Sequence, residues 1–487
     1  MINKWYLSEE CLKSDMEANS VSSGQSKLPP CGCGVKLDLI NVVYPTLSQI
    51  PQGQYFKMRP IRIDAFVGEG EYNWLDRVLV DLHDFKRMDS KVVKLFSEKS
   101  PSALVELYSS KFSSIGQLQE CAEQFSQVTS NKLKFFESVL SRTTKMQNSF
   151  EFGKGHSISG GHDFILLDFL AKANGPSSVK TVANNDTIIT ADSLLTHFSQ
   201  ITVFTAINNA LNDLFIYGIS DELKIYPVYD GSEDEVLAIQ SSLKKYQEQF
   251  QKNLVNIQIF DKGPLNLGVR LVGATVLGRT SKRVPELSQL QVGHEIIATR
   301  PIGDLALLSH FKEKFLKIQT LSEADQAERL NVLKFLSTPN IEAAKVIRQY
   351  LPDSDEAFDE LKHIFVSTDI SGPGLQVLED AAKLSKVTVN ITGLNFIDSK
   401  CFQSFRPNYT SSTNGPMLIS AKRSVLEAVI RDLNSIGMMD TWKVGEVVER
   451  SVSPIMAPRS LVEKFPINPF SVFREEDQTI FEKIKYL

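Results

Sequence analysis

Apolar and polar positions alternate along this chain with two different periods. A period near 3.6 marks helices that bury one face, and a period of two marks half-buried strands. From Trp74 to about Leu140 the period is helical, with Trp74, Val78, Leu79 and Leu82 on one face. Beyond residue 150 the two periods alternate. Phe164–Leu167 and Thr187–Thr190 read as strands, and Val203, Ala206, Ile207, Ala210, Leu211 and Leu214 line one face of a helix. Ile225–Tyr229 reads as a strand, and Pro227 within it points to a sheet edge. Glu233–Lys252 reads as a charged helix, followed by strands at Leu254–Phe260 and Arg270–Leu277.

The alternation restarts after a basic, proline-containing link at Gly278–Pro285. Strands are expected at Glu295–Thr299, His363–Ser367, Val387–Ile391, Met417–Ser420 and, as the last one, Trp442–Val448. Helices are expected from Leu305, over 323–336 and 341–350, after Gly374, and over Lys422–Ile436. Strands and helices mixed in this way imply an α+β chain. The divisions expected are a mobile segment over 1–34, a first domain over 35–280 with a helical insertion at about 70–145, a second domain over 281–452, and a tail over 453–487 that wraps or docks.

The chain has 487 residues, enough for about three domains. Its 53 basic and 58 acidic residues leave a formal charge of −5. A nucleic-acid partner would ordinarily leave a basic footprint, so none is expected. The start of the chain lacks the apolar run and cleavage site of a secretory leader. The longest uncharged stretch, Ser193–Asn212, is rich in Thr, Gln and Asn and makes a poor bilayer segment. A cytoplasmic protein without a membrane partner is therefore expected. Five cysteines are too few for a disulfide scaffold. Cys11, Cys121 and Cys401 read as isolated packing residues.

Cys31 and Cys33 stand apart, in Pro30-Cys31-Gly32-Cys33-Gly34-Val35-Lys36. Zinc sites favour a wider cysteine spacing and a second pair, and neither is present. A reactive thiolate needs nearby positive charge, and Lys36 follows Cys33 by three positions. The glycines let such a loop approach a ligand closely. Four aspartates then recur near element ends. Asp163 follows Gly160 and Gly161, Asp186 precedes a strand, Asp213 lies in a largely apolar helix, and Asp369 lies in Thr368-Asp369-Ile370-Ser371-Gly372. Converging carboxylates would suit Mg2+ on a nucleotide. Singly, each is better read as a helix cap or a solvated charge than as a metal ligand, and Asp369 is a natural cap for the helix after Gly374. Asp213 resists that explanation, because an apolar helix face tolerates a carboxylate poorly without a partner. His156 and His162 flank the glycine cluster. No P-loop, dinucleotide fingerprint, nucleophile elbow or H-E-x-x-H motif occurs.

Taken in order, these segments resemble selenophosphate synthetase and the wider aminoimidazole ribonucleotide synthetase-like superfamily. Gly32-Cys33-Gly34-Val35-Lys36 resembles the G-C-G-C-K loop, with Val35 at the second cysteine. Asn184-Asn185-Asp186 is similar to a T-T-D strand start. Asn209 through Gly218 is similar to N-x-L-S-D-L-Y-A-M-G, Val292 through Gly303 to V-G-D-x-L-I-L-T-K-P-L-G, and Thr368 through Leu375 to T-D-V-T-G-F-G-L. Two segments depart from the pattern. Phe260–Gly263 lacks the T-G-G-Q glutamine, and Thr410–Leu418 lacks the aspartate of D-P-Q-T-S-G-G-L-L.

The resemblance implies two α/β-sandwich-like domains and an ATP-dependent phosphotransferase. Its substrates would be ATP and selenide, and its products selenophosphate, AMP and phosphate. It implies Cys33 as nucleophile and Lys36 as the essential lysine. Asp163, Asp186, Asp213 and Asp369 would be Mg2+ ligands, and Gly160, Gly161, Asn209, Thr368 and Gly372 would lie around ATP. It also implies a homodimer. A related enzyme using sulfide or another small acceptor, and a non-catalytic nucleotide-binding assembly protein, are the alternatives.

Overall fold

The structure is a computed structural model. It describes residues 7–20, 165–167 and 180–466, apart from positions 254, 267, 269, 373 and 404–408, together with three short C-terminal strands. The expected helical insertion, the cysteine–lysine loop, the glycine cluster, His156, His162, Cys121 and Asp163 lie outside the described residues.

Among the described residues the chain begins with a helix, α1 (Glu9–Asn19). A first run then contains β1 (Ile165–Leu167), β2 (Lys180–Ile188), α2 (Gln200–Phe215), β3 (Leu223–Asp230), α3 (Glu233–Lys252), β4 (Ile257–Ile259) and β5 (Leu271–Thr280). A second run contains β6 (Glu295–Ala298), α4 (Asp304–Ile318), α5 (Glu323–Leu336), α6 (Ile341–Gln349), β7 (Val366–Asp369), α7 (Val377–Ser385), β8 (Thr388–Ile391), β9 (Met417–Ala421), α8 (Arg423–Ser435), β10 (Trp442–Val448) and β11 (Ile455–Ala457). The fold is mixed α/β, with two sheets and helices packed on them. The first sheet has the order β1-β2-β5-β3-β4. The second places β11, β8, β10, β6, β9 and β7 side by side, and a short strand at Lys485–Tyr486 extends its β11 edge.

Several expectations need correction. Part of the N-terminal segment is ordered: α1 starts at the Ser8 cap and buries Leu12 and Met16. It docks on the start of α2, where Asp15 accepts the Gln200 and Ile201 amides at 3.0 and 2.8 Å. Ser199 takes the Thr202 amide at 3.1 Å, so three of the donors that a helix start leaves unpaired are satisfied. Trp442–Val448 is not the last strand, because β11 runs parallel to β8 and brings part of the tail into the second sheet.

Pro227 does not mark an edge. Its strand, β3, pairs with β5 on one side and β4 on the other. Ile225 and Tyr229 turn their carbonyls toward the β4 side, to Phe260 and Leu265. Pro227 shares that phase, and β4 has already ended at Ile259. The missing N–H therefore faces a gap in the ladder.

The element that organises the molecule is α2. It packs on β2 and β5 of the first sheet, beside α3, and meets α5, α6 and β7 of the second run on its other side. All sixteen of its residues are buried. A helix buried all round is expected to be apolar, yet α2 carries Asn208, Asn209, Asn212 and Asp213. Each needs a partner, since burying an unpaired polar group costs about 2 kcal/mol or more.

The helix ends at Phe215, and the turn that follows closes at Gly218, with φ of 68° and its N–H bonded to Phe215 O at 2.9 Å. A Cβ there would lie 2.7 Å from the Arg348 backbone, so the position excludes side chains on two grounds.

Candidate active site at the joint of the two sheets

In β2, Val182, Asn184, Asp186 and Ile188 alternate onto one face, as a period of two requires. Asn184 bonds the Ala210 carbonyl of α2 at 3.0 Å, so this face looks onto the helix. Two strand residues advance about 6.8 Å, and four helix residues about 6 Å. The spacings match closely enough for two cross-pairs. Asn184 Nδ2 donates to Asp213 Oδ2 at 2.5 Å, and Asn209 Nδ2 donates to Asp186 Oδ2. The Thr187 amide adds a 2.8 Å bond to Asp186 Oδ1. The carboxylate that an apolar helix should reject is thus held by an amide from the facing strand.

The opposite side of α2 meets the second sheet. Asn212 Nδ2 donates to Asp369 Oδ2 at 2.9 Å, from the end of β7. Asp369 is oriented by α2, whereas the Leu375 amide, near the start of the following helix, is taken by Thr410 Oγ1 at 3.0 Å. Each of the three described aspartates singled out from the sequence is therefore paired with an asparagine amide.

The loop 410–415 closes this joint. Asn414 is left-handed, with φ of 47°, a region asparagine tolerates better than most residues. Its backbone amide donates to Asn209 Oδ1 at 2.7 Å, and its carbonyl accepts from Arg300 Nη2 at 2.9 Å. Its side-chain nitrogen bonds the Leu336 and Thr338 carbonyls at 2.8 and 2.7 Å. Gly415 follows, where an added Cβ would fall 1.7 Å from the Ile370 carbonyl oxygen. Behind the loop, Arg300 Nη1 pairs with Asp304 at 3.1 Å, and Ser412 Oγ donates to the same carboxylate oxygen. Thr368 lies within β7, and the Gly372 carbonyl accepts from Ser411 Oγ at 2.6 Å.

The structure therefore brings Asp186, Asn209, Asp213, Asp369 and the 410–415 loop onto one helix. Residues not singled out from the sequence complete the network: Asn184, Asn212, Arg300, Asp304, Asn340, Ser412 and Asn414. Asn184 and Asn414 sit inside segments that depart from the family pattern, and that departure is the signal available beforehand. Asn340, between two helices, carries none.

Carboxylate oxygens are the donors Mg2+ prefers, and it commonly takes one or two of them beside phosphates and waters. Among the described residues, no three His, Cys, Asp or Glu side chains form a group able to hold one ion. The two described cysteines are not candidate nucleophiles. Burial pushes the Cys401 thiol up to about 12, and it also raises that of Cys11, beside Asp15. Among the described residues, no helix is long and apolar enough to cross a membrane.

No protein-family model matches the chain, and no curated protein matches it by sequence. Solved structures do show similarity. A chain of the HypE–HypF complex aligns over 65% of this chain and 95% of its own, at 14% identity and a TM-score of 0.43. Thiamine-monophosphate kinase from Aquifex aeolicus aligns over 59% and 91%, at 13% identity and a TM-score of 0.40. Thiamine-monophosphate kinase from Stenotrophomonas maltophilia K279a aligns over 66% and 95%, at 15% identity and a TM-score of 0.41. Likeness at this level assigns neither family nor activity.

Proposed function

We propose that this chain is an ATP-dependent phosphotransferase of the selenophosphate synthetase type. One observation carries the reading. Segments picked out by motif order alone, at 184–186, 209–213, 368–369 and 410–415, share a single hydrogen-bonded joint. Asn209 links two of them directly, donating to Asp186 and accepting from Asn414.

In this reading the ATP phosphates lie against Asp186, Asp213 and Asp369, with Asp163 as a fourth carboxylate. Bound Mg2+ supplies the charge neutralisation that lets phosphate approach carboxylate. The chain's own part is alignment, which is most of what phosphoryl transfer asks of a protein. Asn184 and Asn209 hold the first two carboxylates, Asn212 holds the third, and Arg300 braces the loop behind them. Gly160, Gly161, Thr368 and Gly372 border the nucleotide. Cys33 and Lys36 act as nucleophile and phosphate-neutralising lysine on the strength of the motif alone. Self-association through the first sheet belongs to the same proposal.

The test is phosphorus NMR of the nucleotide products, with selenide and then sulfide added. Selenide-dependent AMP and selenophosphate support the proposal. Turnover with sulfide or another acceptor moves the chain to a related enzyme. Nucleotide binding without turnover makes it a binding protein. Absence of Mg-ATP binding removes the reading altogether. In the same series, Asp369→Asn is expected to weaken Mg-ATP binding at least tenfold by calorimetry.

A further inference from the structure

Asn212 precedes Asp213 on α2 and faces the second sheet. Its amide nitrogen donates to Asp369 at 2.9 Å and to Gly415 O at 3.3 Å, while its amide oxygen accepts from Asn340 Nδ2 at 2.9 Å. Asn340 Nδ2 also reaches Gly415 O at 3.1 Å and Asn414 Oδ1 at 3.4 Å. The Asn414 nitrogen is committed to two backbone carbonyls. Both ends of this relay only accept: a carboxylate at one, carbonyls at the other. Each amide therefore has one orientation that works, and a flip would set oxygen against oxygen. A serine at 212, as in the motif this segment resembles, is shorter and carries one hydrogen, so it cannot donate to Asp369 and Gly415 O together as the amide does.

We propose that Asn212 is a positioning residue, which holds the Asp369 carboxylate in one orientation at the joint for the cation–phosphate group of a nucleotide. The contact stands on geometry alone; its purpose rests on the function proposed above.

The experiment compares the full chain with Asn212→Asp, Asn212→Ala and the exchanged pair Asn212→Asp with Asp369→Asn. Thermal midpoints are measured at pH 8, and calorimetry measures affinity for the magnesium complex of a non-hydrolysable ATP analogue. Asn212→Asp sets two carboxylates against each other, so its midpoint should fall below that of Asn212→Ala. The exchanged pair again sets one amide against one carboxylate, so its midpoint should rise above that of Asn212→Asp, short of the natural chain because an oxygen now faces Gly415 O. Nucleotide affinity should drop at least tenfold in Asn212→Asp and Asn212→Ala. It should stay low in the exchanged pair, whose carboxylate now sits on the wrong wall.

An exchanged pair no more stable than Asn212→Asp overturns the contact. Unchanged affinity in Asn212→Ala, or affinity restored by the exchange, overturns the positioning role. If the natural chain binds no magnesium–nucleotide complex, the proposed function and the purpose given to Asn212 both fall, and the midpoints still decide the contact.

Discussion

Arg329 donates through Nε to the carboxylate of Asp192, and both side chains are almost completely buried. Asp192 belongs to the turn before α2, whereas Arg329 belongs to α5, so this ion pair joins the two runs of the chain. Asp192 also accepts the Leu194 amide at 3.0 Å, and Arg329 Nη1 reaches Gln326 at 3.2 Å. Removing one charge strands the other in the interior, which costs about 4 kcal/mol. Asp192→Ala should lose about that much in urea denaturation. Replacing both partners with apolar residues of similar volume should lose much less than the two single changes together. A loss under about 1 kcal/mol in Asp192→Ala would contradict a buried, interdependent pair.

His294 sets an acid limit on stability. Its ring is fully buried, neither nitrogen has a hydrogen-bond partner among the described residues, and it packs edge-on against Phe365. Burial, then Lys422, push its pKa down to about 4, with Glu360 opposing. A base whose pKa falls on folding binds fewer protons in the native state. Native stability is complete above the unfolded value near 6.5, and it declines as pH falls from there toward 4. Integrated over that window the loss is about 3 kcal/mol. His294→Phe should flatten the stability profile between pH 6.5 and 4. An equally steep profile in that variant would assign the acid sensitivity to other groups.

Cys401 should be chemically silent in the folded protein. Its thiol donates to the Gly303 carbonyl at 3.2 Å, and its pKa near 12 leaves almost no thiolate at pH 8. Iodoacetamide followed by peptide mass spectrometry should leave it unlabelled in buffer and label it fully in urea. Rapid native labelling would show that the packing around α4 opens.

Gly218→Ala tests the close approach of α2 to α6. The substitution meets a left-handed backbone angle and the Arg348 Cα at 2.7 Å. Strain of this kind costs on the order of 1–3 kcal/mol before any clash is counted. A thermal midpoint unchanged by the substitution would mean that the helix end can reposition freely.

The periodic pattern alone was enough to place α2, α3, α5, α6 and β10, because each of these elements buries a stripe or face that repeats at its own spacing. It also pointed to Asp213 as a carboxylate in need of a partner. It misplaced what neighbouring strands decide. Pro227 reads as an edge residue until β4 is seen to stop short of it, and Trp442–Val448 reads as the last strand until β11 is seen beside β8. The asparagines of the joint were hidden for a similar reason. An amide bonds whatever faces it, so Asn212, Asn340 and Asn414 have no fixed spacing from their partners, and the period-two position of Asn184 does not reveal its partner on the helix. Their role exists only once the first sheet, α2 and the second sheet are packed together.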